Sequence, residues 1–347
     1  MPVKGFGINA HSSRLDGNLE ILERDLALFQ SIGFDYVEIP VHGVDAILNG
    51  RLNPRQMKRI KKVLAGFDLR YTVHCSNWLN LMSADDLPLH KSIFEASIDF
   101  ASEIGAEILV YHCGRAELGS EYLGPAAFTK DLLTLPDRTF VEECERRERE
   151  TLAELAERAR EKGVTICVEN ADPRVDEEAL WELARRVRVR GVDLFYRIAP
   201  GGDTAIYNYG GVIERLVKQV KAVGKENVGI TFDFGHAYIA SKYYGFDFLQ
   251  SIELAKPLIK HVHIHDDFGK PAGLDRRQII LISQGKGDLH MPIGWGEIPY
   301  REVFSRLRGY EGVLMLELKP RYSPYYAEAL QDLRRLAEEY GLVNQKG

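Results

Sequence analysis

Along this 347-residue chain, short β-branched or apolar runs end again and again in a side chain that can bind a metal ion. Tyr71-Thr-Val ends in His74, Leu109-Val-Tyr in His112, Ile166-Cys-Val in Glu169, Ile230-Thr-Phe in Asp233 and Leu314-Met-Leu in Glu317. A further run reads His261-Val-His263-Ile-His265-Asp266. A lone His ending a strand is usually a hydrogen-bonded structural residue, and a lone Asp or Glu there is usually a helix N-cap. Repetition along one chain changes the balance, because carboxylates buried together are costly unless a cation pairs them. A divalent metal site is the simplest explanation. Mixed His and carboxylate ligands without Cys suit Zn²⁺, Mn²⁺ or Co²⁺ rather than an all-oxygen Ca²⁺ site. Two local patterns fit the same place. Asp233-Phe-Gly-His236 leads out of one run, and Asp288-Leu-His290-Met-Pro-Ile-Gly-Trp-Gly-Glu297 sets an Asp and a His at i, i+2 in a Gly-rich stretch.

Side chains so far apart in sequence meet only if a fold gathers the ends of their runs. Eight such runs are present: Gly5 to Ala10, Tyr36 to Pro40, Arg70 to His74, Ile108 to His112, Thr165 to Glu169, Val228 to Asp233, His261 to His265 and Val313 to Glu317. Amphipathic helical patterns lie between them: Asn18 to Ile32, Pro54 to Leu64, Leu87 to Ile104, Glu142 to Lys162, Gly211 to Val223 and Pro324 to Tyr340. Several close on Gly (Gly33, Gly66, Gly105, Gly163), as helix C-caps do. Eight strands alternating with helices predict an α/β fold of the (β/α)8 TIM-barrel type, in which strand C-termini converge on one mouth. Period-two alternation then aims Thr72, Val110, Cys167, Thr231 and Met315 into a filled, small or apolar barrel interior. An open doubly wound sheet is disfavoured, because no GxGxxG follows the first strand and no P-loop occurs. Two stretches, about 115–140 and 172–209, are too long for simple connections and are expected as lid or binding loops on the mouth of one domain spanning 1–347.

Composition narrows the partners. With 45 Lys+Arg against 51 Asp+Glu, the net charge of -6 gives no electrostatic reason to expect nucleic acid or anionic lipid. No run approaches the ~20 apolar residues of a membrane span, and MPVKGFGINAHSS lacks the plan of a signal peptide, so the expected compartment is the cytoplasm. Cys75, Cys113, Cys144 and Cys167 form no CxxC pair, which excludes a thiolate zinc knuckle or redox dithiol.

These residues together resemble the xylose-isomerase-like TIM barrels, which include endonuclease IV (AP endonuclease family 2) and many sugar isomerases and epimerases. Endonuclease IV holds three zinc ions with nine side chains, and every one of its motif positions has a counterpart here: His74 in HCSNWLNL, His112 in YHCG, Glu169 in VENAD, Asp233 and His236 in DFGHAYIA, His263 in HVHIHDD, Asp288 and His290 in DLHMPIGWGEI, and Glu317 in LELKP. The sugar enzymes are similar in using the smaller set Glu169, Asp233, His263 and Glu317 around one ion. The resemblance implies that the two glutamates also move protons, that His236 touches substrate, and that the chain forms a homo-oligomer. Strand two, Gly33-Phe-Asp-Tyr-Val-Glu38-Ile, is like the sugar branch, and the DNA-contacting segment that follows strand two in endonuclease IV is not recognisable.

Two chemistries fit one to three ions at such a mouth. The first is isomerisation or epimerisation of a sugar, ketose, inosose or sugar phosphate. A cation would chelate a carbonyl and its neighbouring hydroxyl while Glu169 and Glu317 act as general base and acid. His236 with Lys270 or Lys286 would hold substrate oxygens, and Trp78 and Trp295 are candidates to stack on it. The second is multi-metal phosphodiester hydrolysis of the endonuclease IV kind at abasic sites in DNA, which the extra ligands His74, His112, Asp288 and His290 favour. The sugar reading is preferred on charge balance, strand two and the missing DNA segment.

Overall fold

The structure, a computed structural model, describes residues 2–116, 138–173, 208–272 and 281–343. Eight parallel strands close into a barrel: β1 (Gly5–Asn9), β2 (Tyr36–Pro40), β3 (Arg70–His74), β4 (Ile108–His112), β5 (Thr165–Glu169), β6 (Val228–Asp233), β7 (Ile259–Ile264) and β8 (Val313–Leu316). Each pairs with its neighbours in chain order, and β8 closes on β1 with Gly5 opposite Val313 and Gly7 opposite Met315. A Cβ at Gly7 would lie 2.6 Å from Met315 Cε, so the end of the Met315 side chain takes the space a side chain on β1 would fill.

The six expected helices form around the barrel, with three more among them: α1 (Leu19–Ile32), α2 (Pro54–Leu64), α3 (Leu87–Glu103), α4 (Arg138–Glu161), α5 (Ile213–Val223), α6 (Phe234–Tyr244), α7 (Phe248–Ala255), α8 (Tyr300–Arg306) and α9 (Tyr326–Glu339), of which α6, α7 and α8 are the additions. Their ends follow local chemistry. Asn18 and Asn53 accept from the amides of Glu20 and Gln56, and Gly33 closes α1 at φ 101°. The apolar stripe of α1 (Leu22, Leu26, Phe29) is buried against the barrel. Sequence periodicity alone did not separate α6, α7 and α8, which are short and, in α6, buried on nearly all sides. Among the described residues no helix is long and apolar enough to cross a membrane.

Strand seven begins two residues earlier than the sequence pattern suggests, at Ile259, and its register against β6 shifts between Ile230 and Thr231. The irregularity skips Lys260 and sets His261 beside Thr231 and His263 beside Asp233. All five residues expected to point into the barrel are buried. The interior is not wholly apolar, however. Glu38 and His261 lie inside it, joined at 3.1 Å, with Thr72 donating to Glu38 at 3.0 Å, so mutual pairing makes this polar layer tolerable. The expected loops 115–140 and 172–209 lie largely outside the described residues.

Candidate metal centre

The strand ends meet at one mouth, as parallel closure requires. Three clusters of ligand atoms stand side by side there, within each of which the atoms lie no more than 4.8 Å apart: His74, His112 and Glu169; Glu169, Asp233, His263 and Glu317; and His236, His265, Asp288 and His290. Glu169 belongs to two of them. Its Oε2 faces His74 Nε2 at 3.3 Å and His112 Nε2 at 3.4 Å, while Oε1 faces His263 Nδ1 at 3.0 Å. Glu317 Oε2 and Asp233 Oδ2 approach the same His263 nitrogen at 3.2 and 3.8 Å.

Backbone and neighbouring side chains fix which nitrogen each imidazole presents. His74 Nδ1 donates to the Cys75 carbonyl at 2.7 Å, His236 Nδ1 to the Asn170 carbonyl at 2.9 Å and His290 Nδ1 to the Glu317 carbonyl at 2.9 Å, leaving three Nε2 atoms for the mouth. His263 is turned the other way. Its Nε2 lies 2.9 Å from Glu38 Oε1, so Nδ1 faces the carboxylates. Asp233 is both readings at once: Oδ1 caps α6 by accepting from the His236 amide at 2.7 Å, and Oδ2 meets His265 Nε2 at 3.1 Å. The i, i+3 spacing across this first helical turn places His236 on the same face, with Nε2 3.4 Å from Asp288. Asp288 also contacts His265 at 3.5 Å and His290 more closely still. The His265 and His290 rings stack at 4.1 Å. His290 takes up a left-handed φ of 48°, rare for a side chain of this kind, in a loop that the Asp266 carboxylate holds through the amides of Gly294 and Ile298.

The donor set fits divalent ions. Glu169 Oε2 and Glu317 Oε2 are buried and accept no well-directed hydrogen bond among the described residues, although imidazole nitrogens surround them. Such oxygens, one in the His74–His112 cluster and one beside His263, are what bound cations satisfy. Burial alone would raise the Glu169 carboxyl, but the charges of His112 and His263 overcome it and hold the group well below the usual range; His263 and His290 do the same for Glu317. Burial opposes the charged forms of His74 and His265 as well, yet Glu169 and Asp233 prevail and lift both to about 9. From the ordinary value of 6.5 up to about 9, a metal ion has to displace protons from these rings, so affinity rises with pH and uptake releases protons. Chelator competition is expected to show roughly a tenfold gain per pH unit for each displaced proton, levelling off above that range. An affinity independent of pH would exclude these imidazoles as ligands.

Above the clusters lies a polar cavity of about 320 Å³, lined by His74, His112, His236, Asp288, His290 and Glu317 from the set foreseen in the sequence. Glu169, Asp233 and His263 do not line it: they are almost wholly buried behind the lining residues, Glu169 against His74 and His112 and His263 against Glu317. Trp78 stands at the rim, 73% exposed, with the Arg115 guanidinium over its ring at 5.0 Å. Lys270, Lys286 and Trp295 do not line the cavity. Lys270 is exposed beside the Phe268 ring, the Gly285–Gly287 turn leaves Lys286 exposed, and Trp295 packs on Tyr322 and Tyr325. Sequence reasoning set His265 beside the mouth without giving it a ligand role, and it overlooked the partners Glu38 and Asn170 and three further lining residues: His11, His42 and Lys319. Asn170 ties the ends of β5 and β6 together, donating to the Asp233 carbonyl at 2.9 Å and accepting from its amide at 2.8 Å. Its place directly after Glu169 was the available signal.

Comparison with known proteins agrees with this architecture. A family model described as xylose isomerase-like TIM barrel matches residues 26–190 and 174–339. An uncharacterized protein of Methanocaldococcus jannaschii is 27% identical over 305 residues, covering 85% of this chain and 78% of the relative. The crystal structure of a D-tagatose 3-epimerase-like protein is similar with a TM-score of 0.63 and 21% identity, over 97% of this chain and 98% of that one. A D-psicose 3-epimerase from Clostridium cellulolyticum H10, solved with D-tagatose, gives 0.60 and 14% over 96% and 99%. At those identities the likeness to the solved structures is one of fold.

Proposed function

Because the chain belongs to the xylose isomerase-like TIM barrel family, we propose that it is a divalent-metal-dependent enzyme that isomerises or epimerises a small carbohydrate. The observation that carries this reading is a polar cavity of monosaccharide size lined by Glu317, whose cluster with Glu169, Asp233 and His263 lies buried behind the lining. The epimerases that share the fold support it by their names. An ion held by that group would supply Lewis-acid polarisation of neighbouring substrate oxygens. The remaining work falls to the chain. Glu169 and Glu317 approach His263 Nδ1 at 3.0 and 3.2 Å, and they are the general base and acid that take and return the proton α to a carbonyl. Glu38 keeps His263 turned so that Nδ1 serves the group. His236, its tautomer fixed by Asn170, presents Nε2 to the cavity and orients a hydroxyl. Trp78 covers the rim.

A second reading, hydrolysis of a phosphodiester by two or three ions, is favoured by one specific feature. The clusters His74–His112–Glu169 and His236–His265–Asp288–His290 flank the central group, and one-ion proton transfer does not need them. One experiment separates the two. The protein loaded in turn with Mn²⁺, Co²⁺ and Zn²⁺ is given a panel of free ketoses, followed by chromatography, and in parallel an abasic-site duplex. Epimer formation that stops on chelation, without nicking, is the expected outcome. Nicking of the duplex with no change in any ketose would replace the first reading by the second.

A further inference from the structure

We propose that the β8–β1–β2 side of the cavity is an anion subsite built by Lys319 and His11, and that the substrate is a phosphate monoester. The proposal rests on the carbohydrate reading of this site and narrows it to a phosphorylated sugar. Lys319 follows Glu317 by two residues at the end of β8, and His11 follows β1; barrel closure brings both to one wall of the cavity. Although the cavity floor is rich in carboxylates, the Lys319 ammonium forms no ion pair among the described residues. Its charge is felt instead by His11 and by His290. A half-buried ammonium outside any ion pair is open to an anionic ligand.

His11 supplies the second contact. The Ser13 amide donates to its Nδ1 at 3.3 Å, and the Ser13 hydroxyl stands 2.8 Å from the same nitrogen. An Nδ1 that accepts leaves the proton on Nε2, and no acceptor among the described residues takes up that N–H. Burial, then the Lys319 charge, lowers the His11 pKa to about 4, so the ring stays a neutral donor at neutral pH. A cation and a neutral N–H beside the metal-competent Glu317 and His290 suit a ligand with a phosphate at one end and polarisable hydroxyl or carbonyl oxygens at the other. Lys270 and Lys286, the sequence-level candidates for holding phosphate oxygens, do not line the cavity.

The test is isothermal titration of metal-loaded protein at fixed ionic strength with two probes, inorganic phosphate and a neutral ketohexose, for wild type, Lys319→Met and Lys319→Arg. Phosphate is expected to bind the wild type, to bind Lys319→Met about tenfold or more weakly, and to be largely rescued by Lys319→Arg. Metal content and ketohexose affinity should stay as in the wild type. Should the methionine variant fail to fold, Lys319→Gln carries the same comparison. Equal phosphate affinity in wild type and a folded neutral variant, or no phosphate binding by the wild type, overturns the proposal. Failure of the ketohexose alone to bind counts against the carbohydrate reading and leaves the Lys319 comparison intact.

Discussion

Glu169→Gln is expected to lower metal binding and the proposed activity together. Among the described residues Glu169 is the one carboxylate shared by two clusters, with Oε2 between His74 and His112 and Oε1 on His263. An amide of the same shape carries no charge and replaces one acceptor oxygen by a donor nitrogen. Whichever way it flips, an NH₂ group points into one cluster, and neither keeps the negative charge that its imidazoles face. The expected result is loss of at least one ion per chain by elemental analysis and a fall in turnover of about 10³-fold or more, since base and ligand are removed at once. Glu169→Asp, retaining the charge on a shorter arm, should recover part of the metal. Full metal content with near-normal turnover in the glutamine variant would remove Glu169 from both roles.

Gly235→Ala is expected to damage the site although helix propensity says otherwise. Gly235 is helical, and alanine in such a position ordinarily stabilises by about 1 kcal/mol. Here the new Cβ would lie 1.9 Å from His265 Cε1. The ring cannot swing aside, because it is fully buried, held at Asp233 and stacked on His290. The first turn of α6 has to move instead, taking with it the Asp233 cap and His236. A net loss of about 1–3 kcal/mol is expected from overpacking of this kind, with a drop of a few °C in Tm and reduced metal content. Thermal denaturation and metal analysis on the same preparation decide the matter; an unchanged or higher Tm with full metal content would show that the ring has room to yield.

Much of the barrel was legible in the sequence for simple reasons. A strand inside a parallel barrel must be apolar, short and bounded by helix caps, so Thr165–Glu169 or Val228–Asp233 can be read by eye. The metal-competent endings stand out because most ionisable residues in such runs fall where the strand emerges at the mouth, Glu38 and His261 being the paired exceptions inside the barrel. The lysines and Trp295 were legible only as chemistry, without position. Whether a loop residue faces in or out depends on turns such as Gly285–Gly287 and on packing partners such as Tyr325, which no local pattern encodes.

Strand seven marks the boundary between the two kinds of information. His261, His263 and His265 share one parity, so the sequence determined that all three face inward and could not rank them. Depth ranks them. The shifted register against β6 puts His263 level with Asp233, leaves His261 one layer down against Glu38, and lifts His265 up to Asp288 and His290. The sequence by itself determined fold, ligand types and the mouth that gathers them, because hydrophobic periodicity and strand ends are local properties. Only the tertiary structure decided which atoms share a cluster, that Glu169 belongs to two, and that Lys319 and His11 share a wall. Those facts depend on contacts between residues distant in sequence, up to the closure that joins the Leu318 amide to Asn9, 309 positions away.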